Sequence, residues 1–314
     1  MGSQAGPAEL VLMATAARCY YVLGESKIEI ADRLGISRFK VARLLDGARE
    51  AGLVRIEIAP ADGLDLDLSA QVQERWGLAR CAVLAAGSAE PVELNAALGR
   101  TAADLLAEIL TADDVLGLPW SRSVLAMTGY LRDLPPVRVV QLSGAMELPG
   151  YDASAVDIVR SAARASGGTA AIFHAPFVLD DAQTAHTLRL QTSVACGLAL
   201  ADEVTHAVVG IGAWAPGLST QYDVASPADR AMAEQAGVVG ETAGVFFNNQ
   251  GVPISVDMSE RLITISGQQL QAIPEVLALA YGSGKAQAVQ AAVRGGLVTS
   301  LVIDADLAAA LLAT

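Results

Sequence analysis

The sequence contains few cysteines, histidines and aromatic residues. Cys19, Cys81 and Cys196 are far apart, which fits neither a disulfide framework nor a zinc-ligand spacing. The three histidines are equally scattered, so we expect no bound metal and no cofactor. Aromatic residues make up only 4% of the chain, which favours helices packed on parallel strands over a β-sandwich.

Long apolar runs and an export signal are also missing. No run reaches the ~18 residues that a membrane span requires, and residues 1–7 lack the basic and apolar regions of a signal peptide. We therefore expect a cytoplasmic protein with no membrane partner. At 314 residues and 53% hydrophobic content, the chain is long enough for one small and one large domain.

Positive charge is scarce overall but not near the N-terminus. The net charge is −13, yet residues 1–60 hold eight Lys/Arg against seven Asp/Glu. The acidity therefore belongs to the rest of the chain. Any contact with a polyanion must be made by a small, locally basic surface.

The first fifty residues carry the pattern of a helix-turn-helix. Residues 9–23 have apolar side chains at helical spacing, and Gly24 stops this helix. Ser26 and Glu29 have the spacing of a capping box, which opens a second helix. After the turn at residues 35–37, Ser37 is placed to cap a third helix from Arg38 to about Ala51.

The third helix is basic on one side, as a helix that enters the major groove must be. We predict that DNA is bound by Ser37, Arg38, Lys40 and Arg43, near its N-terminal end. Residues 53–58 alternate as a strand does, which indicates a winged variant of the motif. A helical bundle with a solvated basic face is the alternative.

Short apolar strands alternate with Ala-rich helices from residue 80 onward. This rhythm predicts an α/β fold: a winged helix-turn-helix domain at 1–58, a linker and linking helix at 59–76, and an effector-binding domain at 77–314. The effector-binding domain should be a doubly wound, Rossmann-like parallel sheet, with its ligand outside the carboxyl ends of the strands. The predicted strands are 81–84, 115–118, 137–142, 170–173, 207–211, 276–280 and 298–303.

Four of these strand ends carry candidate binding residues. They are the segments 117–123, 141–144, 210–212 and 280–285. Each alone resembles an ordinary strand-to-helix turn. Lys285 is different because it is the only lysine after residue 40 and lies in the first turn of a helix, where the helix dipole disfavours a cation unless an anion shares the site. The run is not a nucleotide P-loop, since Leu279 and Ala286 occupy positions where that motif needs Gly and Ser or Thr.

As a whole, the chain closely resembles the SorC family of sugar-binding transcriptional regulators. The resemblance rests on residues 30–54, 120–123, 141–144, 209–212, 244–251 and 284–304. It implies an effector domain similar to the sugar-phosphate isomerase and deaminase superfamily, with the sugar-phosphate site retained for sensing. The predicted effector-binding residues are Gly117, Ser121, Arg122, Ser123, Gln141, Gly144, Gly212, Asn248 and Lys285.

Within this resemblance, Ser121 and Ser123 would contact effector hydroxyls or phosphate, Gln141 and Gly144 would line the pocket, and Lys285 would meet phosphate or a sugar oxygen. This chain departs from the family at two places. The family usually has Trp-Gly-Arg-Thr at residues 120–123 and Asp at Asn248. The effector is therefore expected to be a sugar, a polyol or a sugar phosphate, modulating binding to the operator of a carbohydrate-utilisation operon.

The main alternative is a sugar-phosphate isomerase, deaminase or aldolase with an accessory DNA-binding domain. In that case Lys285 would form a Schiff base, with an acid-base partner among Asp152, Asp223 and Asp257. A DNA-packaging protein fits poorly with the acidic large domain. Since a single helix-turn-helix usually needs a partner on a two-fold operator, we expect a homodimer or homotetramer.

Overall fold

The computed structural model describes residues 6–55, 63–85, 90–146 and 153–313. The chain separates into two units, residues 1–59 and 60–314. The helix predicted to link them spans Leu66–Trp76 (α4). It packs within the larger unit, where the Trp76 indole donates a hydrogen bond to the carbonyl of Leu311.

The described residues of the smaller unit, 6–55, form three α-helices, and local signals fix their ends. They are α1 (Pro7–Ala17), α2 (Lys27–Leu34) and α3 (Arg38–Glu50), and a π-helical turn (Arg18–Val22) continues α1. The capping box at Ser26 and Glu29 is present, with both reciprocal hydrogen bonds formed. Gly35 ends α2 in the left-handed conformation, and Ser37 caps α3. The order is helix, turn, helix.

The core of the smaller unit is made by residues at helical spacing on these elements. Ile30, Val41 and Ala48 have no exposed surface, and they pack with Ala16 of α1. The strand predicted at 53–58 falls partly outside the described residues. Residues 53–55, which are described, are not in a strand.

Parallel strands form the main sheet of the larger unit. In chain order, the described strands are β1 (Arg80–Leu84), β2 (Val115–Leu118), β3 (Arg138–Gln141), β4 (Thr169–Ala171), β5 (His206–Ala213), β6 (Val238–Thr242), β7 (Val245–Asn248), β8 (Glu275–Ala280) and β9 (Ser300–Asp304). The sheet order is β1-β9-β8-β5-β2-β3-β4, and all of these neighbours are parallel. The predicted α/β fold with a doubly wound parallel sheet is confirmed.

Helices cover both faces of this sheet. The described helices are α4, α5 (Pro91–Ile109), α6 (Arg122–Thr128), α7 (Ala155–Ser166), α8 (Ala182–Arg189), α9 (Thr192–Ala199), α10 (Thr220–Val224), α11 (Pro227–Gln235), α12 (Asp257–Glu260), α13 (Gly267–Ala272), α14 (Ala286–Arg294) and α15 (Ala305–Leu312). None of the helices in the described ranges is both long and apolar enough to cross a membrane.

The alternation of side chains along each strand divides the core between the two faces. On β8, Val276 and Ala278 pack against one set of helices, which includes α14 and α15. Leu277 and Leu279 point to the other face, where α5, α6 and α7 lie. Strands buried on both faces must be apolar throughout, which explains their near-continuous hydrophobic sequences.

An antiparallel hairpin, absent from our prediction, extends one end of the sheet. Residues 211–213 of β5 run beyond the parallel ladder and pair with β6, which pairs in turn with β7. Ala243 and Gly244 form the two-residue turn, and both have positive φ angles, 50° and 84°. This additional pairing explains why β5 ends two residues later than predicted.

Candidate functional site

A pocket of about 600 Å³, its open mouth included, lies at the carboxyl ends of β2, β5 and β8. From β2 the chain winds to β3 and β4 on one side, and it returns at β5 on the other side. The winding therefore reverses between β2 and β5, where an open α/β sheet leaves a crevice for a ligand. The lining includes residues 120–123, 210–212 and 218–221, together with Ser143, Glu241, Leu279 and Lys285.

Lys285 supplies a largely buried positive charge to this pocket. A 3₁₀ turn (Ser283–Lys285) brings it to the start of α14. Its ammonium group donates a 2.7 Å hydrogen bond to the carbonyl of Ile211 and lies 5.3 Å from the centre of the Tyr281 ring. Burial, helped by the positive charge of Arg122, lowers the pKa of Lys285 from 10.5 to about 8. At neutral pH this lysine remains mostly protonated.

Arg122 is the second cation of the pocket. It is the first residue of α6, and its charge acts on both Lys285 and Glu241. Within the described ranges, its guanidinium group has no hydrogen bond and no ion pair. The positive charges of Arg122 and Lys285 repel each other. An anion bound near both would offset this repulsion.

A hydrogen-bonding corner lies on another wall of the pocket. The carboxyl group of Glu241 on β6 accepts hydrogen bonds from the Ser219 hydroxyl (2.9 Å) and the Gln221 amide (3.0 Å). Burial raises the pKa of Glu241, although the Ser219 hydrogen bond and the positive charge of Lys285 oppose this effect. The Gln221 side-chain oxygen is buried and has no hydrogen-bond partner among the described residues. These acceptors match the hydroxyl groups of a ligand.

Two glycines on β5 allow the walls of the pocket to approach its backbone. A Cβ atom on Gly210 would lie 2.6 Å from the Ser121 hydroxyl oxygen. On Gly212 it would lie 2.2 Å from a Glu241 carboxyl oxygen. Any side chain at either position would displace a polar group of the site.

The structure brings five of the nine predicted effector-binding residues together in the pocket. Ser121 caps α6 by accepting a hydrogen bond from the Val124 amide. The Ser123 hydroxyl donates to the Asn95 side chain, so this hydroxyl is already engaged within the fold. The five residues are Ser121, Arg122, Ser123, Gly212 and Lys285.

The other four predicted residues lie outside the pocket lining and have contacts within the fold. Gly117 packs against the side chains of Leu142 and Val204. Gln141 is fully buried. Its side chain donates to the Ser143 carbonyl and accepts from the Phe173 amide.

Gly144 and Asn248 complete the set of four. A Cβ atom on Gly144 would lie 2.4 Å from the Pro176 carbonyl oxygen, so this glycine permits close backbone packing. Asn248 ends β7, where its side-chain oxygen accepts hydrogen bonds from the amides of Gln250 and Val252. It closes a turn.

Sequence reasoning missed Ser219, Gln221 and Glu241. The one available signal was a single carboxylate near the end of the short strand segment Val238–Thr242, which begins with two valines. Such a residue in a buried strand needs hydrogen-bonding partners, and Ser219 and Gln221 supply them here. Their position in the pocket depends on the hairpin that was not predicted.

In the smaller unit, the predicted DNA-binding residues form one exposed end of α3. The Ser37 hydroxyl accepts a hydrogen bond from the Lys40 amide, which fixes the start of the helix. The side chains of Arg38, Lys40 and Arg43 are exposed, and none has an ion-pair partner in the part of the chain that is described. Further along, Arg49 pairs with Asp46.

Asp223 and Asp257, the two described carboxylates of the enzyme alternative, do not line the pocket. Asp152 lies outside the described residues. Asp223 accepts a hydrogen bond from the Gly217 amide, and Asp257 begins α12. The carboxyl group that does face Lys285 across the pocket is that of Glu241.

Comparison with known proteins gives consistent matches over the whole chain. A family model described as "Putative sugar-binding domain" matches residues 63–313. The transcriptional regulator LsrR of Klebsiella pneumoniae is 31% identical over 317 aligned residues, which cover 98% of this chain and 94% of that protein.

Solved structures show the same fold. The full-length sorbitol operon regulator SorC from Klebsiella pneumoniae has a TM-score of 0.72 at 23% identity, covering 97% of this chain and 99% of that chain. A DeoR family transcriptional regulator from Listeria monocytogenes has a TM-score of 0.71 at 23% identity, covering 78% and 98%.

The fold, the matched sugar-binding domain and the relatives define a transcriptional regulator with a sugar-binding domain. The chain belongs to the SorC family of sugar-binding transcriptional regulators. The resemblance that the sequence motifs predicted is confirmed.

Proposed function

We propose that the protein binds operator DNA through α3 and that a sugar, polyol or sugar phosphate in the pocket changes its operator affinity. The observation that carries this proposal is the pocket itself, where two cations and a buried acceptor group meet at the winding reversal of the sheet. As a regulator of a carbohydrate-utilisation operon it would act in the cytoplasm, where its operator is.

The arrangement of charges favours an effector that carries both an anionic group and hydroxyl groups. Arg122 and Lys285 would bind the anion through charge-assisted hydrogen bonds, which are the stronger kind. Glu241 and Gln221 would accept hydrogen bonds from hydroxyl groups. A sugar phosphate satisfies both requirements within one molecule.

Regulation requires two conformations of the protein, one with high and one with low affinity for the operator. The effector must bind one of these conformations more tightly than the other. By thermodynamic linkage, the factor by which effector changes DNA affinity equals the factor by which DNA changes effector affinity. A homodimer or homotetramer would place two copies of α3 on the two halves of a palindromic operator.

A sugar-phosphate enzyme is the second candidate, favoured by one feature. A largely buried lysine with a lowered pKa in the same pocket as a buried carboxyl group is an arrangement that also serves Schiff-base chemistry. We propose the regulator and not the enzyme, because relatives that cover nearly the whole chain are named as transcriptional regulators.

A thermal-shift screen of sugars, polyols and their phosphates tests the proposal. A ligand that binds only the native state raises the melting temperature. We expect a phosphorylated sugar to raise it and the corresponding free sugar to raise it less. Turnover of that ligand at ordinary enzymatic rates would favour the enzyme, and a ligand-dependent change in DNA affinity favours the regulator.

A further inference from the structure

Phe39 is the most exposed large apolar side chain among the described residues. It is the second residue of α3, and 83% of its surface is accessible. Val41, Leu44 and Leu45 hold the helix on the core of the smaller unit, so Phe39 faces away from that core. A phenyl ring stabilises the folded state when folding removes it from water. Because Phe39 stays exposed, its ring contributes little to the stability of the fold.

The surroundings of the ring are basic and not apolar. Arg38 and Lys40 flank Phe39 in sequence, and Arg43 lies one turn further along the same face. None of these three cations has an ion-pair partner in the described part of the chain. The face is thus complementary to a polyanion, although the chain as a whole has a net charge of −13.

In a helix-turn-helix, the N-terminal residues of the second helix of the motif meet base edges in the major groove. At those edges the apolar group is the C5 methyl of thymine. A phenyl ring cannot form a hydrogen bond with a base edge, so the methyl group is its natural contact.

We propose that Phe39 reads a thymine of the operator by packing its ring on the C5 methyl group. This inference rests on the proposed function, since it requires that α3 bind DNA. A protein partner would have to bury three unpaired cations around one ring, whereas the phosphates of a duplex neutralise them.

The test begins with a duplex that the full chain selects from a random-sequence library. Each thymine of that duplex is then replaced in turn by deoxyuridine, which removes only the methyl group. Loss of one buried methyl weakens binding about fourfold. We expect this effect at one position in each half-site, measured as the ratio of Kd values for the deoxyuridine and thymine duplexes.

The same ratio is then measured with Phe39→Ala and with Arg43→Ala as the matched control. The ratio should fall to about one with Phe39→Ala. With Arg43→Ala overall affinity should decrease while the ratio stays at its parental value. Because Phe39 is exposed, the variant should melt at the parental temperature, and the deoxyuridine series on the parent requires no variant at all.

Two results would overturn the inference. The first is a parent protein that binds every deoxyuridine duplex as tightly as the thymine duplex, and the second is an unchanged ratio with Phe39→Ala. Failure of the full chain to select any duplex would overturn the proposed function as well. The two failures are therefore distinguishable.

Discussion

Replacing Lys285 with methionine removes a cation that folding takes out of water, while most of the side-chain length is kept. The lowering of its pKa from 10.5 to about 8 corresponds to about 3 kcal/mol that opposes folding at neutral pH. Against this, the variant loses the hydrogen bond from the charged ammonium group to Ile211, at least about 1.5 kcal/mol, and the contact with the Tyr281 ring, about 0.5–1 kcal/mol.

The ligand-free Lys285→Met variant should therefore be more stable than the parent by at most about 0.5–1 kcal/mol, or about one to three degrees in melting temperature. The size of this difference depends on pH. Because the folded pKa lies below the unfolded one, the destabilisation by Lys285 is complete below about pH 8 and disappears as the pH rises toward 10.5. Melting curves should show the largest difference between the two proteins at about pH 7 and a much smaller one near pH 10.

The same variant should bind an anionic effector about ten- to a hundredfold more weakly, since it loses charge-assisted hydrogen bonds of about 1.5–3 kcal/mol. Calorimetry with the first phosphorylated ligand from the screen measures this loss. Lys27→Met is the matched control for effector binding, because Lys27 belongs to the smaller unit. A Lys285→Met variant that melts below the parent at every pH, or that binds the effector normally, would refute the reasoning.

Three further predictions concern the pocket and the smaller unit. Glu241→Gln should raise the melting temperature of the empty protein at neutral pH and lose this advantage near pH 4, since burial raises the pKa of Glu241; melts at the two pH values decide. Gly210→Ala should weaken effector binding in calorimetry by displacing Ser121, and unchanged affinity would contradict the close approach. Ile30→Ala should destabilise the smaller unit by about 2–5 kcal/mol in chemical denaturation, and a loss below about 1 kcal/mol would contradict its full burial.

The parts of the fold that depend on local signals were predictable. The capping box at Ser26, the cap at Ser37 and the left-handed Gly35 are all determined by residues within one turn. The parallel strands were predictable as short apolar runs because they are buried on both faces. Helix α1 differs from the prediction, since residues 18–22 continue it as a π-helical turn.

The hairpin β6–β7 was not predictable in the same way. Its turn places Ala243 at positive φ, which an alanine does not signal, and its pairing partner is the end of β5, some thirty residues earlier. Lys285 could be singled out from the sequence because it is the only lysine after residue 40. Glu241 carried no comparable signal. Its place opposite Lys285 exists only through a long-range antiparallel pairing.

The central claim is that occupation of the pocket changes DNA affinity, and one titration tests it most directly. Fluorescence anisotropy measures binding of the full chain to its selected duplex, with and without a saturating concentration of the ligand identified by thermal shift. We expect the Kd to change by about 5- to 150-fold, and Lys285→Met to keep the ligand-free Kd while losing this change at the same ligand concentration. Equal Kd values for the parent with and without bound ligand would contradict the account.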